Sequence, residues 1–226
     1  MILRDKNLKW RLLEQNLVLL AEKGIYWEEQ DTLIVSDLHI GKVGHFRKAG
    51  IAIPKILEQE ELAVLSDLIQ TYHPKRIIFL GDLFHSEYND DWNWLLLWTG
   101  LFPNIQMVLV KGNHDVLNHS QYSAAGFIVL NEYRLFPFRF IHEPLPIIPQ
   151  SQSETAEPDL YCISGHIHPA VKLKGKGKQS LTLSCFYFNS VQAIMPAFGK
   201  FTGKYCIEVI KDAHVFGVLD KKVLKL

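Results

Sequence analysis

The chain has 226 residues, of which 48% are hydrophobic, and its 24 Lys plus Arg balance its 24 Asp plus Glu. That length and apolar content suit one domain with a closed core, and residues 1–226 read as a single unit. Zero net charge excludes a strong, diffuse field for nucleic acid or membrane, so any such partner would need a local basic patch.

The N-terminal residues 1–6 mix charges, and no signal-like apolar core follows them. The apolar runs at 17–20 and 25–27 flank Ala21-Glu22-Lys23-Gly24 and predict a β-hairpin. Thr32-Leu33-Ile34-Val35 is a β-rich run that ends at Ser36-Asp37. Pro54 opens a predicted helix to about Tyr72, because proline suits a first helical turn. Leu57, Val64, Leu65, Leu68 and Tyr72 share its apolar face, which Glu61 interrupts.

A second strand over 77–80 ends at Gly81-Asp82, and a helix is predicted over 90–98. A third strand over 107–110 ends at Lys111-Gly112-Asn113, and the run 138–141 leads into His142. The polar stretch 149–159 reads as a surface loop. A strand over 160–163 ends at Ser164-Gly165-His166, and short β-like segments follow.

No apolar run is long enough to span a bilayer. Cys162, Cys185 and Cys206 are odd in number and far apart, which suits buried thiols in a reducing compartment better than disulfides or a thiolate metal site. The expected location is cytoplasmic.

One regularity governs the functional reading. Apolar strands repeatedly end in a small residue followed by a side chain able to hold a metal, at Asp37, Asp82, Asn113 and His166, and more loosely at His142. Ligands of open α/β sheets collect at the carboxyl ends of strands, where residues distant in sequence converge. With His39 and His168 from the Asp-x-His and Gly-His-x-His segments, the candidate ligands number seven. Their oxygen and imidazole donors suit manganese, iron, zinc or cobalt better than calcium. A carboxylate can bridge two ions, so the set divides around Asp82: Asp37, His39 and His168 on one side, Asn113, His142 and His166 on the other. Gly41, Gly81, Gly112 and Gly165 allow tight backbone turns near these ligands.

Asp37-Leu38-His39, Gly81-Asp82, Gly112-Asn113-His114-Asp115, His142 and Gly165-His166-Ile167-His168 resemble the calcineurin-like metallophosphoesterase superfamily. The resemblance implies an α/β fold, a four-layer αββα sandwich of two mixed sheets flanked by helices. It implies two divalent ions, manganese first with iron or zinc as substitutes, and an activated hydroxide that attacks a phosphate ester in line. It also implies a catalytic role for His114, supported by Asp115. Further segments, among them Ser36-Asp37-Leu38-His39-Ile40-Gly41-Lys42, His45-Phe46-Arg47-Lys48-Ala49-Gly50, Gly81-Asp82-Leu83-Phe84-His85-Ser86 and Pro196-Ala197-Phe198-Gly199-Lys200-Phe201-Thr202-Gly203, resemble the bacterial ligase-associated phosphoesterases of the PdeM group. That likeness implies a DNA-damage-response endonuclease associated with repair ligases or helicases. Ser184-Cys185-Phe186 departs from the group's proline before cysteine.

A metal-dependent phosphodiesterase, with nucleic acid among its substrates, is thus the leading expectation. A phosphomonoesterase or phosphoprotein phosphatase uses the same centre, and a non-catalytic scaffold of this fold would lack His114. Arg47 and His85 are candidate substrate contacts, with Lys48 and His45 beside them. Lys172, Lys174, Lys176 and Lys178 read as a glycine-containing hairpin tip with a possible phosphate contact. Trp92, Trp94 and Trp98 suggest core packing or a homodimer face.

Overall fold

The structure is a computed structural model and describes residues 6–42, 50, 60–85, 88–146 and 160–226. Its first sheet holds β1 (Leu8–Leu12), β2 (Gln15–Leu19), β3 (Ile25–Trp27), β4 (Thr32–Val35), β5 (Arg76–Leu80), β6 (Gln106–Val110) and β7 (Phe127–Leu130), bonded in that order. β1 to β4 pair antiparallel, and β4 to β7 run parallel. The second sheet is built from β8 (Tyr133–Leu135), β9 (Phe138–Phe140), β10 (Tyr161–Ser164), β11 (Pro169–Lys174), β12 (Ser180–Phe188), β13 (Gln192–Ile194), β14 (Tyr205–Cys206), β15 (His214–Leu219) and β16 (Lys222–Lys225). Its order is β14-β11-β12-β13-β10-β9-β8, with β15 added on β12 and β16 on β15. β9, β10 and β13 run parallel to one another, and β12 is antiparallel to β13.

Period-two alternation sorts the central strands between two cores, as it must when both faces of a sheet are covered. Leu33, Val35, Ile77, Phe79, Met107 and Leu109 pack under the helices α1 (Glu60–Tyr72), α2 (Asp90–Gly100) and α3 (His119–Ala124). Ile34, Ile78, Leu80, Val108 and Val110 face the other sheet and meet Phe138, Phe140, Ile163, Phe186 and Phe216. The two mixed sheets therefore lie face to face with helices outside the first, the expected sandwich class. On the far side of the second sheet, Val171, Leu183, Cys185, Tyr187 and Val215 form a smaller cluster, closed by Ile207 and Ala213.

α1 buries Leu62, Leu65, Leu68 and Ile69 at helical spacing, and the interrupting Glu61 is buried with them. Its carboxylate accepts from the Lys200 amide at 3.2 Å. The predicted start of this helix at Pro54, with Leu57, lies outside the described residues, as does the predicted loop at 149–159. Asn89 caps α2 by accepting from the Asp91 amide. Trp92 and Trp98 pack in the helix-side core, whereas Trp94 is 43% and Leu97 63% exposed. Cys162 and Cys185 are buried, but Cys206 is exposed, because it sits on a two-residue strand at the sheet edge.

Candidate metal centre

The carboxyl ends of β4, β5 and β6, neighbours in the first sheet, deliver Asp37, Asp82 and Asn113. The carboxyl ends of β9 and β10, neighbours in the second, deliver His142 and His166. Five parallel strands thus aim their outgoing loops at one place. Those loops are stitched together by backbone bonds. Asp37 N donates to Gly81 O at 3.2 Å, His39 N to Asp82 O at 2.8 Å, Ile40 N to Leu83 O at 2.9 Å and Gly165 N to His142 O at 3.0 Å.

Two clusters result. Asp37, His39 and His168 bring donor atoms within 4.8 Å of one another, and so do Asp82, His142 and His166. Asp82 stands between them, with Oδ2 3.7 Å from His39 Nε2 and Oδ1 3.5 Å from His142 Nε2. Asn113 joins the second cluster, its Oδ1 3.0 Å from His142 Nε2. All seven residues singled out from the sequence are brought together here.

The hydrogen bonds at the rim decide which atoms face inward. Asp37 Oδ2 accepts from the His166 amide at 2.9 Å and from Ser36 Oγ at 2.5 Å. Asp37 Oδ1 is left buried with no hydrogen-bond partner among the described residues, as are His39 Nε2 and His168 Nε2. Desolvating polar atoms without partners is costly, yet Oδ1 of Asp37 and Nε2 of His168 lie 3.4 Å apart. In the second cluster His142 Nδ1 lies 2.9 Å from Leu80 O, a carbonyl, so that nitrogen carries the proton. His142 Nε2, the nitrogen left to face the site, then meets Asn113 Oδ1, Asp82 Oδ1 and, at 3.1 Å, His166 Nδ1. Converging lone pairs repel unless a cation lies among them. The residues present therefore fit divalent metal ions.

Backbone strain marks the same residues. Asp37, His39, Asp82, His166 and His168 all have positive φ, from 49° to 70°. Such conformations are uncommon outside glycine and persist where the surroundings over-determine them. Glycine supplies room as much as turning freedom. Gly81 has φ 73°, and a Cβ there would run into the His142 ring. Gly165 has no positive φ; its missing side chain admits Ser36 and the Asp37 carboxylate.

Electrostatics favour ligand-ready forms. Burial holds His39 far below an ordinary imidazole, at about 3, so the ring is neutral. Burial also opposes the Asp37 charge, but His168 and Ser36 outweigh it and hold that carboxyl below its usual range. The floor of the site is buried, at Asp37, His39, Asp82 and His142, while Asn113 and His114 are exposed at its mouth. A cleft of about 400 Å3 opens beside Lys111, Asn113, His142 and Glu143.

His114 stands at this mouth. Its amide donates to Asp82 Oδ1 at 2.8 Å, and its ring centre is 5.4 Å from that of His39. The hydrogen bonds of Asp115, the residue expected to support that ring, run to the neighbouring loops and to α3. Its carboxylate is 1% exposed and accepts from Leu83 N, Phe84 N and Tyr122 OH on one oxygen and from Gly112 N on the other. Burial pushes this carboxyl up to about 6, against the pull of the Gly112 and Phe84 amides. Asp115 is a buried knot that ties the loop after β6 to the loop after β5.

His85, expected to contact substrate, packs against the metal-centre histidines. Its Nδ1 lies 3.0 Å from His39 Nδ1, and its ring centre is 4.9 Å from that of His114. Arg47, Lys48 and His45 lie outside the described residues. Sequence reading missed two supports of Asp37. One is Ser36, signalled only as the small residue before the carboxylate. The other is the 198–199 backbone, where Phe198 N donates to Ser36 O at 2.8 Å and Gly199 N to Asp37 O at 3.1 Å.

Known proteins match this arrangement at two levels. The profile described as calcineurin-like phosphoesterase matches residues 31–189, a span that contains all seven converging residues. The crystal structure of Pseudomonas putida nuclease MPE is 28% identical, with 97% of this chain and 100% of that chain covered and a TM-score of 0.79. Yfce, a phosphoesterase from E. coli, is 11% identical over 86% of this chain and 97% of its own, and its TM-score of 0.42 is too low to bear on the fold. No curated protein matches the chain.

Proposed function

The chain belongs to the calcineurin-like phosphoesterase family, and we propose that it is a phosphodiesterase, acting on nucleic acid, that works with two divalent ions held around Asp82. One observation carries this reading: Asp37 Oδ1, His39 Nε2 and His168 Nε2 are buried in one cluster without hydrogen-bond partners among the described residues, and Asp82, with one oxygen toward His39, turns its other oxygen to a second cluster. Asp37, His39 and His168 would hold one ion, and Asn113, His142 and His166 the other, with Asp82 shared. Oxygen and imidazole donors without thiolate fit manganese, with iron or zinc as substitutes. Two such ions supply a strongly nucleophilic water at neutral pH and positive charge against the phosphate oxygens.

The chain's own residues do the rest. Strands and stitched loops hold the donors in place before substrate arrives, so little reorganisation is needed when charge develops. His114, at the open mouth, would give a proton to the leaving oxygen. The similarity to Pseudomonas putida nuclease MPE along 97% of the chain supports diester over monoester and nucleic acid over a small ester. The exposed mouth at Asn113 and His114 suits a polymer that passes over the site.

A paired assay tests the proposal. An aryl phosphodiester and the matching monoester are compared with manganese, zinc, iron and magnesium, with Asp82→Asn as control. The diester should turn over faster, depend on added metal and fail in the variant. Faster monoester hydrolysis would make the chain a phosphomonoesterase, and no metal-dependent turnover on either ester would remove the enzymatic reading.

A further inference from the structure

Charge is unevenly distributed in this neutral chain. Between Leu160 and Ile207 there are six lysines, at 172, 174, 176, 178, 200 and 204, and no aspartate, glutamate or arginine. A basic run alone is usually a solvated face, so its placement decides what it can do. β11 begins at Pro169, directly after His168 of the metal centre. Its first three residues are buried, and from Lys172 onward Lys172, Leu173 and Lys174 are all exposed, so the β11–β12 hairpin extends past the core. In register, Lys172 pairs with Thr182 and Lys174 with Ser180, so both lysines rise from one face. On that hairpin Lys204 Nζ donates to Thr182 O at 3.3 Å. Next to it, Tyr205 is 64% exposed, and its amide donates to His168 O at 3.0 Å.

From these positions we infer that the β11–β12 hairpin, with Lys204 and Tyr205, is a docking strip for the phosphate backbone of a polynucleotide strand whose scissile bond lies at the metal centre. The inference rests on the phosphodiesterase reading and names the polymer's path. Lys172, Lys174 and Lys204 supply the charges. Tyr205, beside His168, supplies an aromatic face of the kind on which bases stack. From His168 to Lys174 is six residues, or about 20 Å of extended strand. One strand of duplex carries a phosphate about every 3.4 Å of axis, so the strip would follow roughly six nucleotides. The chain's neutral net charge is compatible with this, because the strip is the local patch that a neutral protein needs.

The experiment measures binding of a fluorescent 20-nucleotide single strand, and of the same sequence as duplex, by anisotropy with chelator present so that no cleavage occurs. The parent is compared with the triple variant Lys172→Gln, Lys174→Gln, Lys204→Gln across a salt series. Loss of three contacts should flatten the slope of log affinity against log salt by about 2 for the single strand, with weaker binding at each salt. The triple arginine variant at the same positions should keep the parent slope, and it separates charge from misfolding. Hydrolysis of the small aryl diester, too short to reach the strip, reports the metal centre separately. The inference is overturned if the glutamine variant binds with unchanged affinity and slope. Displacement of the oligonucleotide by poly-glutamate as readily as by unlabelled strand of equal charge would overturn it too.

Discussion

Asp115→Asn separates a structural from a catalytic role for the residue beside His114. In the parent one carboxylate oxygen takes Leu83 N at 3.0 Å, Phe84 N at 3.1 Å and Tyr122 OH at 3.2 Å, and the other takes Gly112 N at 2.8 Å. Asparagine keeps the shape but turns one acceptor into a donor. The better orientation sets its NH2 against the Gly112 amide; the other sets it against three donors. At least two buried donors, the Gly112 amide and the new NH2, are then without acceptors, at about 1–3 kcal/mol each, for a total of roughly 2–6 kcal/mol. Domains of this size are stable by only about 5–15 kcal/mol, and the melting point should fall by roughly 5–20 °C. Thermal unfolding with chelator present measures this, and diester hydrolysis well below the variant's melting point gives turnover per folded molecule. That turnover should fall far less than stability does. A variant as stable as the parent yet without turnover would refute the reasoning and return Asp115 to the chemistry of the His114 ring.

Other consequences concern single side chains. His114→Ala should keep both ions by elemental analysis and lose turnover by roughly 10²–10⁴, the usual worth of a positioned proton donor; full activity on every diester would remove His114 from the reaction. His85→Ala deletes the group 3.0 Å from His39 Nδ1 and should weaken manganese binding about 10–100-fold by calorimetry, as loss of a ligand's supporting partner does. Unchanged affinity with a raised KM would instead make His85 a substrate contact. Burial lowers the Lys23 ammonium from 10.5 to about 8, with Lys204 adding to the effect. The unfolded chain then holds that proton more tightly than the folded one, so this group's destabilisation is complete below about pH 8 and is relieved as pH rises towards 10.5. Urea midpoints at pH 8 and 10 should show that rise in the parent and a flatter profile in Lys23→Met; parallel profiles would contradict it.

The sheet cores and the ligand set were legible because both obey local rules. Thr32–Val35, Arg76–Leu80 and Gln106–Val110 are short β-rich runs, and each is followed within three residues by a ligand. Parallel neighbours then place those followers together with no further information. β1 is hard to read from the sequence although Leu8, Trp10 and Leu12 alternate with Lys9 and Arg11, since an edge strand is only half-buried and its pattern is weak. The role of Asp115 was illegible, because three of its donors belong to Leu83, Phe84 and Tyr122 and only folding brings them near. Gly165 looks like a turn residue in the sequence, but the room it leaves for Ser36 and Asp37 is a tertiary fact. His85 lay close enough in sequence to Asp82 to be noticed, yet only the structure sets its ring on His39. The three cysteines look alike in the sequence, yet a two-residue edge strand leaves Cys206 exposed while Cys162 and Cys185 are buried.

Metal stoichiometry tests the central claim most directly. Manganese titrated into metal-free protein by calorimetry, with elemental analysis of the dialysed complex, should give two ions per chain, one for each cluster around Asp82. His168→Ala should lose one ion and keep the other, and Asp82→Asn should weaken both. A single ion in the parent, or two ions bound with parental affinity by Asp82→Asn, would contradict a paired centre shared through that carboxylate.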